Sequence, residues 1–200
     1  MIEAFAYSPG ATPLDLDEAA GLMPGHIRTQ AELNQWEEAN ILTAQEWLLR
    51  KIKTAKPVAL LEEGFVRDLH KRMFKQTWRW AGSFRSSNEN IAIDWPHIAT
   101  RLRTLLGNTL YQIEQGTSDP TDELATRFHH QLVCIHPFPN GNGRHARLMA
   151  DALIMSLGQP RLSWGQTPLE ASGNARERYL SALRAADVGE WGLLHTFVRS

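Results

Sequence analysis

The sequence predicts a mainly α-helical bundle that carries one small β-hairpin. From residue 29 onward, apolar residues recur at three- and four-residue spacing through most segments, which is typical of amphipathic helices. Glycine and proline residues separate these segments, so that each helix has a defined end. One segment, residues 84–94, instead has a polar turn between β-branched residues, which favours a hairpin. We therefore expect helices to build the core and the hairpin to be a small addition.

The composition fits one domain that buries its own core. The chain has 200 residues, of which 42% are hydrophobic, and a formal net charge of -1. This near balance of charges gives no general reason to expect nucleic acid or an anionic membrane as a partner. The lone Cys134 excludes an internal disulfide, the first residues lack a secretory signal, and no apolar run reaches about 20 residues. We therefore expect a cytoplasmic protein that does not enter the membrane.

The first part of the chain differs from the rest. Residues 1–26 contain the turn-rich sequences SPGATP and MPGH, which predict an irregular arm laid on the domain formed by residues 27–200. The first helix of that domain is expected from Thr29 over TQAELNQWEEANILTAQEWLLRK. Its acidic residues come early and its basic residues late, as the helix dipole favours.

The middle of the chain predicts a helix, the hairpin and two further helices. The sequence LLEEGFVRDLHKRMFKQ has the helical period, and the chain then breaks at Gly82. The sequence FRSSNENIAID, residues 84–94, supplies the hairpin. After Pro96 follow two amphipathic helices, HIATRLRTLLGNTLYQIEQG and TDELATRFHHQLVCI, the second of them capped by Thr121.

Three helices are expected in the last part of the chain. The sequence RHARLMADALIMSLG is apolar around most of its circumference and ends at Gly158, so it predicts a buried central helix. The sequences NARERYLSALRAAD and EWGLLHTFVR predict two more helices, joined by a turn at residues 188–189.

The sequence HPFPNGNGRHAR, residues 136–147, carries the densest chemistry of the chain. Gly141 and Gly143 allow positive φ angles, so that backbone amides can converge on one point at the start of the buried helix. The free amides and the positive end of the helix dipole face that same point, which is how proteins bind phosphate. Arg144 and Arg147 lie one turn apart on the helix, where their guanidinium groups can bind phosphate oxygens.

His136 precedes this loop and is the candidate general base. An ordinary histidine has a pKa of about 6.5, which suits proton transfer near neutral pH. Two prolines stiffen the connection, and Phe138 is expected to point inward and anchor the loop in the core.

This twelve-residue stretch resembles the signature of the Fic family, His-x-Phe-x-(Asp/Glu)-Gly-Asn-Gly-Arg-x-x-Arg, at every position but one. The resemblance implies a helical bundle with a β-hairpin flap and a protein adenylyltransferase, which moves AMP from ATP to a Ser, Thr or Tyr hydroxyl of a target protein. His136 would then deprotonate the hydroxyl. The amides of residues 141–143 and the Asn142 side chain would hold the α-phosphate, with Arg144 and Arg147 on the β- and γ-phosphates.

The one departure from the signature is Asn140, which stands where the family has a carboxylate that binds Mg²⁺. A neutral amide oxygen is a poorer ligand for this hard cation. The ATP phosphates can still carry the metal, so the resemblance implies an active site with weaker metal affinity or another nucleotide preference.

The resemblance extends to two further segments. WAGSFR, residues 80–85, is similar to the segment that leads into the family's flap, where targets bind by adding a β-strand to the flap edge. Ile91 and Ile93 are therefore candidates for target docking, with simple packing of the hairpin as the alternative. RERYLSAL resembles a segment of the nucleoside pocket and indicates Tyr179, for which a core position with a satisfied hydroxyl is the alternative.

A partial resemblance concerns the inhibitory helix of many Fic proteins, (Ser/Thr)-x-x-x-Glu-(Gly/Asn), whose glutamate pairs with the second arginine of the signature. In RTQAELN, Glu32 occupies the glutamate position, but Arg28 and Leu33 depart from the pattern. The alternative is local, because Glu32 also fits a capping box with Thr29.

Several alternatives stay open for the same site. These are phosphate transfer as in Doc-type relatives, which typically lack the glycine found here as Gly143, removal of AMP with Glu32 activating water, and a catalytically weak nucleotide-binding module. The segments ELNQWEEANI and HPFPNGNGRHARL also resemble a Fic subgroup called mobile mystery protein B, which is associated with mobile genetic elements and suggests a toxin-like or regulatory role. Self-modification is a further expectation.

The histidines and the cysteine do not predict a zinc site. The spacing of His129, His130 and Cys134 matches no known ligand set, and one cysteine forms no thiolate cluster. His129 and His130 are expected to face opposite environments, one packed and one exposed. No basic stripe with interleaved aromatics indicates nucleic acid either.

Overall fold

A computed structural model describes residues 20–88, 93–116, 121–165 and 173–200. The described residues form eight α-helices and one short 3-10 helix. The helices are α1 Gln30–Ile52, α2 Pro57–Leu60, α3 Glu63–Phe74, the 3-10 helix Trp95–His97, α4 Ile98–Gln115, α5 Thr121–Ile135, α6 Asn142–Ser156, α7 Gly173–Asp187 and α8 Gly192–Arg199. The prediction of a mainly α-helical fold is confirmed.

The helix α6 is the centre of the bundle, as its sequence predicts. Its side chains are almost completely buried, at 4% exposure or less for Ala146, Leu148, Met149, Ala150, Ala152, Leu153 and Ile154. It packs against α5 and α1 and also touches α2 and α3. Several of these residues are alanines, and their small size lets the neighbouring helices approach closely, which is how interiors reach crystal-like packing density.

The helix α1 begins with a capping box formed by its own first turn. Thr29 accepts a hydrogen bond from the backbone amide of Glu32, and the Glu32 carboxylate accepts one from the backbone of Thr29, which is a capping box. Leu33, Ala44 and Leu48 then follow at helical spacing and are buried at 3% exposure or less. The apolar face of α1 therefore covers the bundle, while its start is fixed by hydrogen bonds within the first turn.

The hairpin expected at residues 84–94 is not seen. Residues 84–88 and 93–94 contain no strand, and the remaining residues of the segment, 89–92, lie outside the described part of the chain. In the described part of this segment, the Arg85 guanidinium donates to the carbonyls of Ser87 and Ile93. Both carbonyls are therefore bonded to a buried cation. The N–H of Trp95 donates to the Asn88 side chain, 2.9 Å away.

Part of the expected N-terminal arm is visible. Residues 20–26 form no helix, and the segment around Leu22 pairs with the segment around Trp78 in an isolated antiparallel bridge. Met23 N–H donates to the carbonyl of Thr77 at 2.9 Å, and Arg79 N–H donates to Gly21 at 2.9 Å. Residues 1–19 lie outside the described residues, and the division at residue 26 stays a prediction. None of the helices described is long and apolar enough to cross a membrane.

Candidate functional site

His136 stands directly after α5, at the start of the loop that leads into α6. Its φ angle is +49°, a left-handed conformation that side-chain-bearing residues rarely adopt. Two hydrogen bonds from Arg85 hold it: the Nε of Arg85 donates to the His136 carbonyl at 2.7 Å, and the Arg85 backbone amide donates to the carbonyl of Pro137 at 2.9 Å. Such strain costs about 1–3 kcal/mol and persists where the surroundings fix it, as functional sites do.

The His136 imidazole is buried and neutral. Burial and, to a smaller extent, the neighbouring Arg85 charge lower the pKa of His136 to about 4, against the opposing effect of a hydrogen bond to the Val133 carbonyl. At neutral pH the ring therefore carries one proton, on the nitrogen that donates to the Val133 carbonyl, and its other nitrogen can accept a proton. Because a bound polyphosphate would bring negative charge to the loop, we expect it to raise this pKa toward the working range of a general base.

The side chain of Asn142 closes the loop. Its Oδ1 accepts a hydrogen bond from Phe138 N–H at 2.9 Å, and its Nδ2 donates to the carbonyl of Phe138 at 2.6 Å. The residue is 3% exposed. Both of its polar atoms are bonded to the loop backbone, and contact of this side chain with the α-phosphate stays a prediction. Its role is to fix the shape of the loop.

Phe138 and His70 anchor the loop to the core. Phe138 is completely buried, as predicted, and its ring stacks on His70 with 3.7 Å between centroids. His70 accepts a hydrogen bond from Gly82 N–H at 3.0 Å through Nδ1, so its Nε2 carries the hydrogen and donates to the carbonyl of Asn140 at 3.0 Å. His70 therefore links two loops, and no sequence pattern identifies it.

The two glycines of the loop have different roles. Gly141 has a φ of +77°, and a Cβ there would lie 2.4 Å from the Phe74 ring, so no other residue fits. Gly143 lies inside α6, and the nearest atom to a Cβ there would be the Tyr179 hydroxyl at 4.0 Å. The expectation of positive φ is thus confirmed for Gly141 and wrong for Gly143. The missing side chain of Gly143 leaves space beside the backbone.

That space borders the N-terminus of α6, where backbone amides are available. The first helical hydrogen bond runs from His145 N–H to the carbonyl of Gly141 at 2.9 Å. The amides of residues 142–144 precede it and have no acceptor within the helix. They coincide with the positive end of the dipole of a 15-residue helix. The geometry can therefore bind an anion such as phosphate.

The two arginines of α6 reach in different directions. Arg144 donates from Nη1 to the Glu37 carboxylate at 2.8 Å and lies over the Phe74 ring. Arg147 lies over the ring of Tyr179, with 5.8 Å from its guanidinium carbon to the ring centroid. Both side chains are only partly buried. The pair thus flanks Gly143, one arginine extending toward α1 and the other toward α7.

Glu37 is a buried acid that the sequence did not identify. It is 2% exposed, and besides Arg144 it bonds the indole of Trp78, whose Nε1–H donates to the carboxylate at 2.6 Å. The ion pair to Arg144 makes it the carboxylate that reaches the loop. A buried acid is paired or hydrogen-bonded in native proteins, and Glu37 is both.

Glu32 lies elsewhere, on the exposed start of α1. Its carboxylate accepts hydrogen bonds from the backbone amides of Arg28 at 2.8 Å and Thr29 at 3.0 Å. These two bonds, the one from Arg28 first, lower the pKa of Glu32. The capping alternative is therefore confirmed for Glu32. The structure puts Glu37, and not Glu32, beside an arginine of the loop.

Tyr179 belongs to the core beside the loop. It is 6% exposed, and its hydroxyl is hydrogen-bonded to His129 Nε2 at 2.9 Å. This placement favours the core alternative over direct contact with a nucleoside. His129 and His130 are both buried, at 0% and 7% exposure, so the expectation that one of them is exposed is wrong. The reason is that α7 and α8 cover this side of α5, where Trp191 contacts His130.

The structure describes one of the two residues predicted to dock a target, Ile93. Ile93 is half-buried and its carbonyl accepts a hydrogen bond from Arg85. Ile91 lies outside the described residues. Docking of a target at these two positions stays a prediction.

The loop does not provide a magnesium site of its own. Asn140 offers one neutral amide oxygen, and that Oδ1 already accepts the N–H of Gly141. Glu37, the described acid that reaches the α6 N-terminus, is paired with Arg144. A single engaged amide does not fit a cation that prefers several oxygen ligands in octahedral geometry. Any Mg²⁺ that the reaction uses would therefore have to be held by the nucleotide phosphates.

Comparison with known proteins identifies this arrangement. Residues 60–154, which include Arg85, His70 and the whole loop, match the Fic/DOC family. This region is a Fic domain. The subgroup resemblance stays a prediction, since the match names the family alone.

Relatives of the Fic domain occur in animals and bacteria. The chain is 36% identical over 83 residues to the protein adenylyltransferase fic-1 of Caenorhabditis elegans, which covers 42% of this chain and 14% of that protein. It is 39% identical over 62 residues to a probable protein adenylyltransferase of Aquifex aeolicus, covering 31% of this chain and 17% of that one. The chain thus spans less than a fifth of these relatives.

A solved structure shares the fold over almost the whole chain. The BepC protein of Bartonella tribocorum, a VirB-translocated effector crystallised with AMPPNP, superposes with a TM-score of 0.67 at 18% identity, covering 92% of this chain and 97% of that one. The fold of the Fic domain therefore extends beyond the residues that match the family by sequence.

Proposed function

We propose that this Fic domain is a protein adenylyltransferase that transfers AMP from ATP to a hydroxyl side chain of a protein. The observation that carries the proposal is the position of a buried, neutral histidine directly before an anion-binding loop at a helix N-terminus. A base and a phosphate site on one rigid loop are what nucleotidyl transfer to a hydroxyl requires.

The proposed reaction follows from the residues of the loop. His136 accepts the proton of the attacking Ser, Thr or Tyr hydroxyl. The hydroxyl oxygen forms a bond to the α-phosphorus, the bond from that phosphorus to the bridging oxygen of the β-phosphate breaks, and pyrophosphate leaves. The amides of residues 142–144 stabilise the negative charge on the phosphates, and Arg144 and Arg147 supply positive charge on either side.

The relatives support this choice of chemistry. Two proteins that match the Fic domain are called adenylyltransferases or probable adenylyltransferases. An ATP analogue is bound in the BepC structure, and ADP is bound in a Fic domain from Bartonella quintana of the same fold. We infer ATP as the nucleotide of this chain. Self-modification and a cytoplasmic protein target belong to the same proposal.

Labelled ATP tests the proposal against its alternatives. The purified protein is incubated, alone and in a cell lysate, with ATP labelled at the α- or the γ-phosphate. Adenylyl transfer labels protein from α-labelled ATP only. Label from γ-labelled ATP would mean phosphate transfer, and neither label with retained ATP binding would mean a binding module.

Two variants make that experiment specific. His136→Ala removes the base and should abolish transfer while ATP still binds. His97→Ala changes an exposed histidine of the 3-10 helix and should leave labelling unchanged. Equal labelling by wild type and His136→Ala would contradict the proposed role of His136.

The ion pair between Glu37 and Arg144 favours a second proposal, that α1 restrains the site. The Glu37 carboxylate forms an ion pair with the Arg144 guanidinium, which the reaction needs to bind phosphate. ATP would have to displace this carboxylate from Arg144, which lowers the affinity for nucleotide. We assign this restraint to Glu37, because Glu32 is committed to the capping box.

A further inference from the structure

A second cluster of polar side chains lies one helical turn before the loop. Among the described residues, it is the one group of three side chains able to ligate a metal, and it consists of His130, Cys134 and Asp187. His130 and Cys134 are four residues apart on α5 and therefore on the same face. Asp187 is the last residue of α7. The three ligand atoms all lie within 4.8 Å of one another.

The distances within this cluster are close to those of a tetrahedral zinc site. The Sγ of Cys134 lies 3.7 Å from His130 Nε2 and 3.7 Å from Asp187 Oδ1, and these last two atoms are 2.9 Å apart. Bond lengths of about 2.3 Å to sulfur and about 2.0–2.2 Å to nitrogen or oxygen separate tetrahedral ligands by roughly 3.3–3.6 Å. Side-chain adjustments of a few tenths of an ångström would therefore accommodate the ion.

The hydrogen bond between His130 and Asp187 does not by itself explain the cluster. That bond uses two of the three groups, and the Cys134 thiol donates a longer bond to the same Asp187 oxygen, 3.7 Å away. The sulfur lies 3.7 Å from both that oxygen and His130 Nε2 and 3.9 Å from His130 Nδ1, so a turn of the imidazole would be needed to aim Nε2 at an ion between the three groups. Thiolate, imidazole and carboxylate together are a donor set that suits Zn²⁺ and not the hard cations Mg²⁺ and Ca²⁺.

We propose that His130, Cys134 and Asp187 bind one Zn²⁺ ion, with water as the fourth ligand. The Asp187 side chain is 55% exposed, so solvent reaches the open position, whereas the His130 side chain is 9% exposed and oriented by its packing against Trp191. On binding, the Cys134 thiol releases its proton to water and the thiolate bonds to the metal. His130 binds as the neutral tautomer with its hydrogen on Nδ1, so the metal replaces the hydrogen that Nε2 donates to Asp187.

The ion would connect two elements of the Fic domain. It would join the end of α7, which carries Tyr179, to the last turn of α5. Cys134 is two residues before His136, and Tyr179 bonds to His129 on the same helix. The site therefore has a structural role, in which the metal holds α7 against the helix that ends at the loop.

Titration of the full chain with Co²⁺, followed by its absorption spectrum, tests this proposal. The protein contains one cysteine, so a thiolate-to-cobalt charge-transfer band reports on Cys134 alone. Titration with Co²⁺ should give this band together with the visible absorption of tetrahedral cobalt, saturating at one ion per chain. Zn²⁺ should then remove both by displacing Co²⁺.

Matched variants complete the experiment. Cys134→Ser should abolish the charge-transfer band and weaken Zn²⁺ binding, measured by competition with a chromophoric chelator, at least tenfold. His97→Ala should change neither. Absence of the band in the wild type, or equal zinc affinity of wild type and Cys134→Ser, would overturn the proposal and leave His130 and Asp187 as a hydrogen-bonded pair.

Thermal unfolding gives a second readout that does not depend on cobalt absorption. Zn²⁺ should raise the midpoint of thermal unfolding of the wild type, because the ion binds the folded site and not the unfolded chain. In Cys134→Ser the increase should disappear. An equal increase in both proteins would also count against the site, since it would show zinc binding elsewhere.

Discussion

The Glu37 carboxylate lies 2.8 Å from the Arg144 guanidinium and joins α1 to the phosphate loop across 107 residues of sequence. The same carboxylate accepts the indole N–H of Trp78. Glu37 thus has two partners, one structural and one in the site. A substitution that keeps the bond to Trp78 and removes the charge can separate these roles.

Glu37→Gln should increase nucleotide affinity and auto-labelling. Glutamine keeps an oxygen for the Trp78 N–H but no longer holds Arg144 by charge. A hydrogen bond between charged groups contributes about 1.5–3 kcal/mol, and about 1.4 kcal/mol corresponds to a tenfold change. We therefore expect ATP to bind about tenfold more tightly, measured by calorimetry, with a parallel increase in label from α-labelled ATP.

Glu32→Gln is the matched control for this substitution. It changes an exposed acid of the same helix, five residues earlier, and should leave nucleotide affinity unchanged. If Glu32→Gln raises labelling and Glu37→Gln does not, the restraint belongs to Glu32 and the assignment to Glu37 is wrong.

The two glycines of the loop should respond oppositely to alanine. Gly141→Ala forces a side chain into a left-handed conformation, which costs about 1–2 kcal/mol, and into the Phe74 ring, which adds about 1–3 kcal/mol. Urea denaturation should show a loss of about 3 kcal/mol in the free energy of unfolding.

Gly143→Ala should leave that free energy unchanged or raise it, because alanine favours a helix by up to about 1 kcal/mol over glycine. Its methyl group would occupy the space beside the amides of α6 and weaken ATP binding. Normal ATP binding by Gly143→Ala would place the phosphates away from this space.

Local chemistry could be predicted from the sequence, whereas partners distant along the chain could not. The capping box of Thr29 and Glu32 is complete within four residues, so the pattern alone specifies it. Glu37 looks like an ordinary helix acid, because its partners Trp78 and Arg144 come from other elements. For the same reason the spacing of His130 and Cys134 did not predict a metal site.

The expected hairpin shows a different limit. Alternation and a polar turn predict strands when carbonyls pair across the ladder. Here the buried Arg85 takes the carbonyls of Ser87, Ile93 and His136. In the described residues these carbonyls are thus bonded to a buried side chain, and whether an arginine is buried depends on the whole fold.

The protein should lose stability steeply in mild acid. Burial lowers the pKa of His129 to about 3 and those of His136 and His145 to about 4, and it lowers the pKa of His70 well below 6.5. Between these values and about 6.5, the unfolded chain binds protons that the folded chain does not. The free energy of unfolding therefore falls as the pH decreases.

The magnitude can be measured by urea denaturation at pH 7.5 and 5.5. Each of His129, His136 and His145 should contribute a loss of about 1.4 kcal/mol over this interval, and His70 should add a loss in the same direction. His145→Gln should reduce the pH dependence of the free energy of unfolding by the contribution of one histidine. Equal stability at both pH values would show that these histidines are protonated in the folded protein.

His136 itself should remain neutral well below the usual titration range of histidine. Burial and the Arg85 charge both disfavour the imidazolium. In NMR spectra of the unliganded protein, the His136 ring signals, assigned by their loss in His136→Ala, should not shift between pH 8 and 5. Circular dichroism of the same sample should show that the protein stays folded. Pyrophosphate bound to the loop should raise the His136 pKa, because its negative charge stabilises the imidazolium. A midpoint near 6.5 without ligand, or one that pyrophosphate leaves unchanged, would show that the imidazole does not face the anion site.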